Sequence, residues 1–169
     1  MDKTTFVQIM RRAAPKNLTF QNPGDGTSKI ISHSNTAIYY QRGKSPISIG
    51  YEALFDVWNI FQGKLVNSTE LRDHNPSVFD SNKNGHSCNC TFLFLIFEAA
   101  GLVDEIEGKG VRGNPYGALI LSVAKEPGEQ AAGKGSISRS SVGTEAAQSG
   151  ISLLRKGPSK ALVNSFPVR

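Results

Sequence analysis

The chain has 169 residues, 38% of them hydrophobic, a formal net charge of +5 and 2 cysteines, a length that suits one domain of ordinary size or a small domain with appendages. No segment approaches the roughly 18 apolar residues of a membrane-spanning helix, and Met1-Asp2-Lys3-Thr4-Thr5 opens no apolar secretory run, so a soluble cytoplasmic protein with no membrane contact is expected. Cys88 and Cys90 lie too close together to staple a fold, which argues against a disulfide scaffold and leaves the sequons at Asn17, Asn67 and Asn89 without weight.

In chain order, Phe6, Ile9, Met10 and Ala13 fall at helical spacing and predict a helix over 5–14 that Pro15 ends. Leu18-Thr19-Phe20, Ser28-Lys29-Ile30-Ile31, Thr36 to Tyr40 and Ile47-Ser48-Ile49 read as short strands, separated by the turn residues Asn22-Pro23-Gly24-Asp25-Gly26 and by a loop over 43–46. Residues 1–50 are therefore expected to be an N-terminal β-rich part. Tyr51 to Phe61 predicts a helix with Leu54, Phe55, Trp58 and Phe61 on one side, stopped by Gly63. Asn67 or Ser68 caps the next helix, which Glu70 favours through the positive helix end and Pro76 interrupts on the way to Phe79. After a polar loop, Ser87 is expected to cap a third helix over 89–100, ended by Gly101. Leu102 to Glu107 reads as a strand, Gly108 to Gly113 as a flexible tip, and Tyr116 to Val123 as the returning strand.

Helix, helix and Gly-rich hairpin in this order resemble a winged helix-turn-helix domain over residues 51–123. Winged-helix proteins turn the wing with a run similar to Gly-Arg-Arg-Gly-Asn-Pro-Tyr. This chain has Gly110-Val111-Arg112-Gly113-Asn114-Pro115-Tyr116, one basic residue fewer. The resemblance implies binding of double-stranded DNA. The third-helix entrance, His86, Ser87, Asn89 and Thr91, would face the major groove, Arg112 would sit on the wing, and Arg42, Lys44 and Lys109 would contact phosphates. Charge agrees in part: residues 1–44 hold seven basic and two acidic side chains, 45–110 four and nine, and 111–169 eight and three. Basic flanks suit a polyanion, because neutralising phosphates releases counterions, although the same balance occurs in soluble proteins that never meet DNA.

The third helix departs from that family. Cys90, Phe92 to Phe97 and Ala99 leave it almost no polar face, no Lys or Arg occurs between Lys83 and Lys109, and a helix apolar all round is usually buried. Either only its N-terminus meets DNA, with weak specificity, or Phe94 and Phe97 cover a protein partner or the N-terminal part. The competing function is thus a protein-interaction module built on a winged-helix fold.

A third alternative is a metal-dependent nuclease. Asp73-His74-Asn75-Pro76, Asn84, His86, Cys88 and Cys90 are similar to a His-Asn-His layout, but Cys-x-Cys is too tight for a zinc knuckle and alternate residues at a helix start diverge. Neither phosphate-loop look-alike holds: Gly135 replaces the hydroxyl residue after Lys134, and Gly108-x-Gly110-x-x-Gly113 leads into a strand. His33 has no triad neighbours in the sequence.

From Lys125 to Gly150 the chain turns to Gly, Ser and Ala without aromatic residues, too little apolar surface to offset ordering entropy. Residues 124–169 are therefore expected to be a flexible basic tail with short amphipathic pieces at 151–156 and 161–166. The expected protein is α+β: a winged-helix-like unit, an N-terminal β-rich part and a poorly structured C-terminus. Its expected function is non-catalytic, phosphate-driven DNA binding, as a small regulator using no cofactor or metal.

Overall fold

Asp2 begins the first helix, its carboxylate accepting from the Thr5 amide at 3.0 Å, and the helix (α1, Lys3–Ala13) buries Phe6 and Met10. The computed structural model describes residues 1–124, so the expectations for 125–169, including the tail and the look-alike at Lys134, lie outside the described residues.

Four antiparallel strands follow, β1 (Thr19–Gln21), β2 (Thr27–His33), β3 (Ala37–Arg42) and β4 (Ser45–Gly50), in the order β1-β2-β3-β4. Their alternation is clean: Ser28 and Ile30, then Ile38 and Tyr40, then Ile47 and Ile49 point inward, while their neighbours face water. A bulge at Ile31 shifts the register between β2 and β3. The expected loop through Pro46 is shorter than predicted, because β4 is an edge strand and tolerates a residue with no N–H to donate.

Helix α2 (Tyr51–Phe61) buries Tyr51, Leu54, Val57 and Trp58. A three-residue strand that the sequence did not announce, β5 (Leu65–Asn67), pairs antiparallel with β6 (Gly117–Leu119). Asn67 then caps α3 (Ser68–His74) in a reciprocal box: its side chain accepts from the Thr69 and Glu70 amides, and the Glu70 carboxylate accepts from the Asn67 amide. Pro76 splits the predicted second helix, starting the short α4 (Pro76–Phe79).

Helix α5 (Cys88–Ala99) is the centre of the molecule, buried at every residue from Asn89 to Phe97. Ser87 does not cap it; that residue has helical backbone, and its hydroxyl bonds the Ser81 hydroxyl at 2.7 Å instead. The sheet covers one side of α5, where Phe92 stacks on Tyr40 at 3.8 Å between ring centres and meets Phe20 edge-on. Phe97 meets Phe6 of α1, and α3 and α4 cover the remaining side. Beyond α5 the predicted strand over 102–107 is reduced to isolated bridges, Val103 with Ile120 and Glu107 with Gly117, while Asp104 and Glu105 between them are exposed. One hydrophobic core thus runs through residues from both the expected N-terminal part and the expected 51–123 unit.

Truncating Phe92 to Ala removes a ring clamped between Tyr40, Phe20 and the rest of the core. It is expected to lower the unfolding free energy by about 3–5 kcal/mol, measured by urea denaturation; a loss below about 1 kcal/mol would contradict the central role of this seam.

Candidate nucleic-acid interface

The tip of the hairpin that the sequence likens to a wing is folded by its own backbone. The Val111 amide donates to the Asn114 carbonyl at 3.2 Å and the Asn114 amide returns to Val111 at 3.0 Å, so Arg112 and Gly113 form the tip, with Gly113 at φ 81°. At Gly110 a Cβ would run into the Tyr116 ring, so only glycine lets the tip fold over that tyrosine. The Ser68 amide donates to the Tyr116 carbonyl at 2.8 Å and fixes the start of α3 beside the returning strand.

Between α3 and the wing lies a groove of about 360 Å³ lined by Ser68, Thr69, Arg72, Val111, Arg112 and Pro115, among others. Arg72 is held along its own helix, Nε donating to the Ser68 carbonyl at 3.0 Å and Nη2 to the Thr69 hydroxyl at 3.4 Å. The groove therefore presents two guanidinium groups and two hydroxyls, and no carboxylate lines it. The second groove beside the wing, about 310 Å³, is lined by Glu70 and Glu107 with Leu65 and Asn114. One groove beside the hairpin thus carries arginine side chains and the other carries glutamates.

The predicted site residues divide. Arg112 and Lys109 are exposed on the wing, but only Arg112 lines the basic groove. His86 and Ser87 are exposed before α5, and Lys44 is exposed in the β3–β4 turn. Arg42 is half-buried on the inward side of β3, with Nη1 shielded from solvent and unpaired among the described residues, so that atom does not face a phosphate. Asn89 and Thr91 are corrected outright as groove-reading groups, being 2% and 8% exposed. The Asn89 amide is fully engaged inside, accepting from the Tyr40 hydroxyl at 2.8 Å and donating to the Val78 carbonyl at 2.9 Å. Phe94 and Phe97, offered either to a protein partner or to the N-terminal part, are fully buried core residues, and Phe97 packs edge-on against Phe6 of α1.

The nuclease residues do not converge. His74 Nε2 lies 2.8 Å from an Asp56 carboxylate oxygen, Cys90 is buried with its Sγ 3.7 Å from both the Ser68 and the Phe79 carbonyl oxygens, either of which can accept its one S–H, and His86 stands exposed. Among the described residues no group of three or more His, Cys, Asp or Glu could hold a metal ion. His33 is structural, tying the Tyr51 hydroxyl to the Ala14 carbonyl at 2.6 Å each. No helix of the described residues is long and apolar enough to cross a membrane.

Arg72, Ser68 and Thr69 were not among the predicted site residues. The available signal was the spacing of Ser68 and Arg72, which puts them on one helix face; what hid it was β5, too short to read as a strand, whose pairing brings the wing to α3.

Burial raises the Cys90 thiol to about 12, opposed in part by Arg72, and burial with the neighbouring Cys88 pushes the Tyr40 hydroxyl far above its usual value. Both groups hold their protons more tightly folded than unfolded. Their stabilisation is complete below the unfolded values of 9.0 and 10.0 and is lost as pH rises toward the folded ones. The urea midpoint is expected to fall from about pH 9 upward, and the double variant Cys90→Ala, Tyr40→Phe to fall less steeply; equal slopes would contradict this assignment. Compared with known proteins, the chain matches no protein-family model, no curated protein and no solved structure.

Proposed function

We propose that this protein binds double-stranded DNA without catalysis, as a small cytoplasmic regulator, and that residues 51–123 form a winged-helix unit gripping backbone phosphates between α3 and the wing. The order of elements supports the unit: α2, β5, α3, α5, then a hairpin whose second strand, β6, returns beside β5. The observation that carries the function is the groove itself, in which Arg72, preset by two bonds to its own helix, and Arg112 on the glycine-built tip line one concave surface with two hydroxyls. Guanidinium groups match the planar oxygen pairs of phosphate, and presetting one of them reduces the ordering cost of binding.

Contacts of this kind position a duplex without reading its sequence. Sequence selectivity is weak in this account because α5, which would enter the major groove of a sequence-reading relative, is enclosed by the sheet. The ends of several elements nevertheless meet on this side. Cys90 in the first turn of α5 reaches the Ser68 carbonyl at the start of α3, and Tyr40, two residues before Arg42, reaches Asn89. His86, Ser87 and Lys44 are exposed and lie near these junctions in the chain.

The test is fluorescence anisotropy with a random-sequence duplex at about 50 and about 200 mM salt, using the full chain with Arg72→Ala and Arg112→Ala. Binding is expected to be steeply salt-dependent, and each variant to reduce the logarithmic salt slope by about one unit. Duplex binding unaffected by either variant, or absent at low salt, would contradict the proposal.

A further inference from the structure

The inner face of the four-stranded sheet rests on α5, and its outer face is open: Thr19, Lys29, Tyr39, Gln41 and Ser48 are all exposed there among the described residues. We infer that this face is a platform for single-stranded nucleic acid, with a base stacked on Tyr39 and the backbone held by Lys29. The register places the groups. Thr19, Lys29 and Gln41 form one row across β1, β2 and β3, and Tyr39, directly opposite Ser48, begins the next row, about 7 Å along the strand. Tyr39 is 41% exposed, leaving its ring accessible, and Ile31 at the bulge, 36% exposed, gives an apolar neighbour on the adjacent strand.

Charge selects the occupant. Strands β1 to β4 contain Lys29 and Arg42 and not one Asp or Glu, and among the described residues of these strands the charged group on the open face is the cation Lys29. An outer face turned to water needs no such bias; a face that meets a polyanion does. The uncharged partners, Gln41, Ser48 and Thr19, are donors and acceptors suited to base edges. A protein interface would need a buried apolar centre, and Tyr39 with Ile31 is too small for one. An aromatic ring flanked by a cation is sufficient for a nucleotide, because every base has a stacking face.

This surface is independent of the wing groove, so the two fail separately. A short fluorescein-labelled oligothymidylate is titrated into the full chain and into Tyr39→Ala, Tyr39→Phe, Lys29→Glu and Arg112→Ala, each checked by thermal melting, with random duplex as the second ligand. Tyr39→Ala and Lys29→Glu are expected to weaken the single strand about tenfold, while Tyr39→Phe and Arg112→Ala retain it and duplex affinity is unchanged by Tyr39→Ala. No binding of the oligonucleotide, or binding lost only with Arg112→Ala, would overturn the inference. So would equal displacement by a poly-glutamate peptide, which would make the face an acidic-peptide site.

Discussion

Nine consecutive buried residues, Asn89 to Phe97, make α5 a helix that must be wrapped on every side. The N-terminal sheet takes one side of it, through the Tyr40–Phe92 stack and the Phe20 contact. The stack is anchored by one polar link, in which Tyr40 donates to Asn89 and Asn89 donates to Val78. A buried amide with both ends satisfied fixes the rotation of α5 against the sheet, since a helical rotation of one residue would break both bonds in a medium where unpaired polar groups are costly.

In the proposed function, that enclosure leaves the ends of the neighbouring elements, and not the face of α5, to meet DNA. The capping box at Asn67 sets where α3 begins, the Ser68 amide ties it to Tyr116, and Gly110 lets the wing fold over the same tyrosine. These local devices, each contributing on the order of 1 kcal/mol, together hold Arg72 and Arg112 along one groove. Glu70 engages its carboxylate at the Asn67 amide and lines the opposite groove with Glu107, which separates the charges across the wing.

Much of the fold was legible in the sequence. Helical spacing gave α1 and α2, Pro76 and Gly101 gave helix ends, and short β-favouring runs between turn residues gave the sheet strands, though not which of their residues point inward. The apolar character of α5 also announced its burial. Tertiary pairing was not legible: β5 is three residues with no period of its own, and the hairpin after α5 keeps only isolated bridges. The site suffered from the same gap. Asn89 looked like a surface group because it sits near a helix start, yet its environment is decided by Tyr40, 49 positions away. Arg72 drew no reading from the sequence, because the groove it lines exists only once the hairpin is folded beside α3.

The account rests on α5 remaining enclosed while the wing groove takes the duplex. Amide hydrogen exchange of the full chain with and without random duplex DNA tests both halves at once. The account predicts slowed exchange at 68–72 and 110–115, with α5 and the β2–β3 ladder unchanged. Faster exchange in β2 and β3 together with altered exchange along α5 would mean that the sheet leaves the helix to expose it, and would contradict the account.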